Sequence, residues 1–308
     1  MENRLTNLIQ DKELKKSFKN LEVSSFEKIR DIYRKKVKVK DGWWYDESGL
    51  ITGGLGHTQQ KVKNIINRYV IHLPHSQVEI PQEYRADYLL SDEELEDNIY
   101  QYADYKTDEL YKSFLENCDS VINPHSRLFM DPERFFDDEK ESMQVKHGLG
   151  WFYENAILEK KPLRVKTHKD EIAKYYDAHH NKLTSLVEKK LELYDACTII
   201  DCHSFSNERY WFHDKNVELP DICIGYDEFH KDEQLVKVIL DLFKDYNITI
   251  NTPYAGSLVP NKFYMKDSRV KSVMIEINKK LYLESDNTTK SENFRVIRDK
   301  LTYIQERV

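Results

Sequence analysis

Cys197-Thr198-Ile199-Ile200-Asp201-Cys202-His203-Ser204 is an apolar, β-rich run that passes directly into a carboxylate, a thiol, an imidazole and a hydroxyl. In open α/β sheets, sites form beyond the carboxyl ends of strands. The run therefore predicts a buried strand with reactive groups straight after it.

Working outward, similar runs recur. Tyr69-Val70-Ile71-His72-Leu73 reads as a strand ending at Pro74, and Val121-Ile122 and Leu128-Phe129-Met130 as short strand candidates. Ile222-Cys223-Ile224, Ile248-Thr249-Ile250 and Val273-Met274-Ile275-Glu276-Ile277 complete the set. Helical signals lie between them. Ser91-Asp92-Glu93-Glu94 has the form of a capping box, which starts a helix running toward Phe114. Ile172, Tyr176, His179, Leu183 and Val187 recur at helical spacing over 169–194. Residues 231–245 are also helical in period, and 290–307 reads as a closing helix. Strands alternating with helices predict an α/β fold of three layers, a central mostly parallel mixed sheet flanked by helices. Residues 66–308 would form this domain. Residues 1–65 read as a mostly helical polar extension, with Gly53-Gly54-Leu55-Gly56 as a linker or hairpin turn, since GGLG is not the GxGxxG of a phosphate loop.

Composition narrows the function classes. The 308 residues are 40% hydrophobic and 33% charged, as in a globular protein, with a net charge of -7. No long basic run is present, which argues against a nucleic-acid partner. No apolar stretch reaches the length of a membrane span. The start, MENRLTNLIQDKELKK, lacks the apolar core of a signal peptide. The four cysteines form no CxxC pair, so the expectation is a cytoplasmic protein with reduced thiols. Nothing in the residues sets an oligomeric state.

Chemistry-bearing residues follow the apolar runs at Pro74-His75-Ser76, at Asp201-Cys202-His203-Ser204 and at Asn251-Thr252-Pro253-Tyr254-Ala255-Gly256-Ser257. A histidine at a strand end has a structural reading and a metal-ligand reading. Two at equivalent sheet positions, with a carboxylate, would suit a hydrolytic zinc site. Glu276 lies inside an apolar run, where a carboxylate is costly to bury unless paired or near a metal. Its bland alternative is an outward position on an edge strand. Arg127 and Arg134 could pair with the acidic run Asp137-Asp138-Glu139, bind a substrate carboxylate or steady an oxyanion.

Taken in order, these segments resemble the N-formylglutamate amidohydrolases. The resemblance rests on Pro74-His75-Ser76 with Ile80-Pro81, Asp104 to Tyr111, Arg127-Leu128-Phe129-Met130-Asp131-Pro132-Glu133-Arg134, Tyr176 to His180 with Leu183, Asp201-Cys202-His203-Ser204, Asp221 to Gly225, Asn251 to Gly256, and Ile275-Glu276-Ile277-Asn278. They keep one order from about 66 to about 285. The resemblance implies a fold similar to the zinc carboxypeptidases, of the phosphorylase/hydrolase-like type, and a zinc ion held by His75, Asp104 and His203. It implies Glu276 as general base and Arg127 at the oxyanion. Arg134, Tyr254, Asn251 and His180 would meet a small amide substrate bearing a carboxylate. Glu79 is the competing acidic ligand. The carboxypeptidase H-x-x-E spacing is absent, because Val78 occupies its last position. Glu133 stands where many relatives have Asn, and Lys106 where some have His. A Glu beside Arg134 could neutralise it. A metallopeptidase, a peptidoglycan amidase and a catalytically silent binding protein are the alternatives on the same fold.

Overall fold

A computed structural model describes residues 68–137, 139–213 and 216–305, together with three short strands nearer the N-terminus. Those strands are β1 (Lys38–Lys40), β2 (Trp43–Tyr45) and β3 (Ile51–Gly54), paired antiparallel in the order β1-β2-β3. Over these residues the chain is strand and not helix, while the rest of the expected helical extension lies outside the described residues. Aromatic and β-branched side chains at Trp43, Trp44, Tyr45, Ile51 and Thr52 favour strand, and they outweigh the turn signal of Gly53 and Gly54. Gly56 and the remaining residues up to 67 lie outside the described ones.

The main sheet has six strands: β4 (Tyr69–Leu73), β5 (Asp119–Ile122), β6 (Cys197–Phe205), β7 (Ile222–Gly225), β8 (Ile248–Ile250) and β9 (Val270–Asn278). Their spatial order is β5-β4-β6-β9-β7-β8. Every neighbouring pair is parallel except β7 with β9. The helices are α1 (Asp92–Tyr102), α2 (Thr107–Leu110), α3 (Lys112–Asn117), α4 (Ser142–Val145), α5 (Lys169–Tyr194), α6 (Glu233–Leu242) and α7 (Phe294–Gln305). Among the described residues no helix is long and apolar enough to cross a membrane.

Side-chain alternation sorts the central strands into two faces. Ile71, Leu73, Ile200, Cys202, Val273, Ile275 and Ile277 pack with Leu235 and Ile239 of α6 and with Ile297 and Leu301 of α7. Val70, Cys197 and Ile199 pack on the other face against Leu183 and Val187 of α5. This is the expected three-layer arrangement. It also sends His72, Asp201 and His203 to the α5 face.

Three local expectations need correction. The helix from Ser91 has its capping box, but it stops at Tyr102 instead of reaching Phe114. Lys106 takes a left-handed φ of 66°, and α2 and α3 follow as separate short helices. The break is held by the Asp104 N–H donating to the His75 carbonyl (2.9 Å) and by the Thr107 hydroxyl donating to the Asp104 carbonyl (2.7 Å). Leu128-Phe129-Met130 is a buried turn and not a strand, closed by the N–H groups of Phe129 and Met130 on the Ser126 carbonyl. Its apolar character fills two side-chain clusters without any ladder. Finally, β6 runs through the Asp-Cys-His-Ser motif, because its pairing with β9 continues from Cys197↔Val270 to Phe205↔Asn278. The reactive groups sit within the strand and not after it.

Candidate active site

β4, β6 and β9 run parallel, and their carboxyl ends carry His75, His203 and Glu276. His203 and Glu276 are register partners across β6 and β9, so their side chains share a face. The interruption after α1 brings Asp104 to the same place. Nδ1 of His203 lies 3.0 Å from Asp104 Oδ2, and Nδ1 of His75 lies 3.7 Å from it. All three residues are buried. The Ser204 N–H also donates to Asp104 Oδ2, at 3.1 Å.

Both imidazoles turn Nδ1 toward Asp104 and back Nε2 with another carboxylate. His75 Nε2 is 2.8 Å from Asp131 Oδ1, and His203 Nε2 is 3.1 Å from Asp201 Oδ1. A ring whose Nε2–H is held by a carboxylate presents a bare Nδ1, the form in which histidine ligates metals. His75 Nδ1 is buried with no hydrogen-bond partner. The donor set of two imidazole nitrogens and one carboxylate fits a zinc-class cation. Glu79 is exposed, so it does not compete with Asp104 for this position. Cys202 points away into the apolar core, where burial raises its thiol well above the usual range.

The electrostatics follow from burial and pairing. Burial alone would raise the Asp104 carboxyl, but the His203 imidazole against it and the nearby His75 ring hold it well below its ordinary value. His203 moves well above the usual imidazole range against burial, through Asp201 first and Asp104 next. Glu276 goes the other way, with burial pushing its carboxyl up to about 8. Its Oε2 has no hydrogen-bond partner. An unpaired carboxyl in such a place is suited to exchanging a proton near neutral pH.

Arg127 is buried in a fixed pose. Its Nη2 donates to Asp131 Oδ2 (3.0 Å), its Nη1 lies 3.8 Å from Asp104 Oδ1, and the guanidinium sits 4.1 Å from the Tyr102 ring centroid. Asp131 is the hub of this side, also accepting from the Tyr153 hydroxyl (2.6 Å) and the Glu133 N–H (2.9 Å). Arg134 stands nearby, 3.8 Å from Asp131 and 3.9 Å from Glu141. Glu133 does not pair with Arg134. It turns to His72, 3.1 Å away.

The other residues expected at the site have the following partners. Asn251 uses both ends of its amide to build its own turn. Its oxygen accepts from the N–H groups of Tyr226 (2.9 Å) and Gly256 (3.1 Å), and its nitrogen donates to the Tyr226 carbonyl (3.0 Å). Tyr254 packs on Phe205, with ring centroids 5.1 Å apart. His180 hydrogen-bonds the Pro132 carbonyl (3.0 Å), while its neighbour His179 reaches His72 (2.8 Å). Sequence reading assigned no role to His72, Asp131, Tyr153 or Lys279. His72 left a signal, as a polar residue amid the apolar run of β4. Lys279 left none; it is buried against the Gln101 carbonyl, and burial lowers its ammonium to about 8.

The sequence pattern of the N-formylglutamate amidohydrolase family matches residues 67–283. The chain belongs to that family. Membership makes it an amidohydrolase, and the matched span holds every residue of the cluster. Among solved structures, the chain is similar to an N-formylglutamate amidohydrolase from Ralstonia eutropha JMP134, at 21% identity and a TM-score of 0.64. That likeness covers 78% of this chain and 92% of the other. A gene product of Agrobacterium tumefaciens is similar at 16% identity and a TM-score of 0.52, over 78% and 91% of the two chains. At these identities the likenesses show the shared fold. No curated protein matches the chain.

Proposed function

We propose that the chain is a zinc-dependent hydrolase of small N-acyl amino acids, with N-formylglutamate the first substrate to test. The reading is carried by one observation: the bare, buried Nδ1 of His75 faces Asp104 and the Nδ1 of His203, beside the unpaired carboxyl of Glu276. His75, Asp104 and His203 would hold the ion. When bound, zinc would polarise the amide carbonyl and make water more acidic.

Glu276 takes a proton from the attacking water as its oxygen adds to the carbonyl carbon. The same carboxyl then gives that proton to the departing nitrogen as the C–N bond breaks, yielding a carboxylic acid and an amine. Arg127 steadies the charge that grows on the carbonyl oxygen, an interaction that counts most in the transition state. Its clamp by Asp131 and Tyr102 keeps the guanidinium oriented without reorganisation. Arg134, not neutralised by Glu133, receives a substrate carboxylate through its planar fork. Tyr254, in the turn that Asn251 builds, borders the substrate space.

The test combines metal analysis with hydrolysis of a panel of N-formyl and N-acetyl amino acids and short peptides. Bound zinc and turnover of N-formylglutamate are expected. Glu276→Gln should keep the zinc and lose roughly 10²–10⁴ in rate. A zinc-free protein inert toward the whole panel would overturn the reading, and a preference for peptides would reassign the substrate.

A further inference from the structure

On the α5 side of His203 a second set of ligand-type atoms converges. His72 Nδ1 lies 2.8 Å from Asp201 Oδ1 and 3.1 Å from Glu133 Oε1. The three ligand atoms lie within 4.8 Å of one another. His72 and Asp201 are fully buried, and the Glu133 side chain is 15% exposed.

Hydrogen bonds alone do not satisfy this cluster. Two donors are at hand, His72 Nδ1–H and His203 Nε2–H, and both meet the same acceptor, Asp201 Oδ1, at 2.8 and 3.1 Å. Glu133 Oε1 makes no well-aligned hydrogen bond: His72 Nδ1, 3.1 Å away, is turned to Asp201, and His203 Nε2 is 3.8 Å away. A buried carboxylate oxygen without a well-aligned donor of its own is disfavoured. No Arg or Lys comes within 4 Å of Glu133 or Asp201 among the described residues, whereas Asp104 and Asp131 both face Arg127. Asp201 Oδ2 is already taken by the Leu258 N–H (3.1 Å), so Oδ1 remains for the cluster. The far nitrogen of His72 lies 2.8 Å from His179 Nε2. A ligating imidazole is oriented in just this way, by giving its other N–H to a neighbour.

We propose that His72 Nδ1, Glu133 and Asp201 form a second site for a divalent cation of the zinc class. One imidazole and two carboxylates satisfy such an ion, with water completing the shell. His203 keeps its Nε2 proton and its hydrogen bond to Asp201, so Asp201 links the two sites. The ion would lock Asp201 and, through it, the ring of His203.

The test is zinc stoichiometry of the full chain, stripped of metal and dialysed against zinc, read by elemental analysis. The wild type should bind two ions. His75→Gln, Glu133→Gln and His72→Gln should each bind one, with folding checked by circular dichroism. Anomalous scattering at the zinc edge from wild-type crystals should show two peaks, one between His72, Glu133 and Asp201. This arm stands even if a variant does not fold. A single ion lost in His75→Gln and kept in the other two variants overturns the second site and leaves the proposed hydrolase intact. A single ion lost in Glu133→Gln and His72→Gln but kept in His75→Gln supports the second site and overturns the first. Two ions retained in Glu133→Gln and His72→Gln also overturn the proposal, as does a chain that binds none.

Discussion

Asp131→Asn should weaken both the fold and the proposed metal site, for one geometric reason. Each Asp131 oxygen accepts two hydrogen bonds. Oδ1 takes His75 Nε2 (2.8 Å) and the Glu133 N–H (2.9 Å), and Oδ2 takes Arg127 Nη2 (3.0 Å) and the Tyr153 hydroxyl (2.6 Å). An asparagine amide offers one acceptor and one donor. Either way it sits, its NH₂ meets groups that also donate, and Arg127 loses the charge of its partner. Breaking a buried ion pair by removing one member costs roughly 3–5 kcal/mol. If the NH₂ faces His75, the ring must accept at Nε2 and move its proton to Nδ1, the nitrogen turned toward Asp104. Loss of such a supporting carboxylate typically lowers metal affinity about 10–100-fold, or roughly 1.4–2.8 kcal/mol. Denaturant unfolding with excess chelator measures the first effect, and zinc competition against a chromophoric chelator measures the second. A variant with wild-type unfolding midpoint and zinc affinity would refute the reasoning.

The Asn251 turn gives a second prediction. Asn251 has φ of 53° and satisfies three backbone groups, so Asn251→Ala should lose about 2–4 kcal/mol of stability by denaturant titration. Asn251→Gly should recover about 1 kcal/mol of that, because glycine accepts the left-handed backbone; equal losses in both variants would argue against backbone strain. At Gly225 an added methyl would collide with the Gly256 carbonyl and the Met274 side chain, so Gly225→Ala should destabilise by about 1–3 kcal/mol, seen as a lower thermal midpoint. Ser91→Ala removes one half of the α1 capping box and should cost about 1 kcal/mol in the same assay, with hydrolysis rates unchanged.

Local pattern carried most of the architecture. The periodicity of Ile172, Tyr176, Leu183 and Val187 marked α5 end to end, and the run Tyr69 to Leu73 is β4 residue for residue. Where local signals misled, a tertiary contact had overridden them. Leu128-Phe129-Met130 is apolar because it is buried, not because it pairs. The helix after Ser91 ends early because Asp104 is drawn to His75 and His203.

By itself the sequence determined the order of strands and helices, the burial of their apolar faces, and the presence of His75, Asp104, His203 and Glu276 in a recognisable succession. Those properties depend on neighbours within a few residues, so they are written along the chain. The tertiary structure alone decided that Asp131 joins His75 to Arg127 and that Glu133 turns from Arg134 to His72, and it set the distance at which Asp104, the expected acidic ligand, meets the histidines. Each concerns the partner of a buried charge. Sheet register and the chain's path between strands set those distances, and Coulomb energy in a buried site depends on distance in space rather than on separation in sequence.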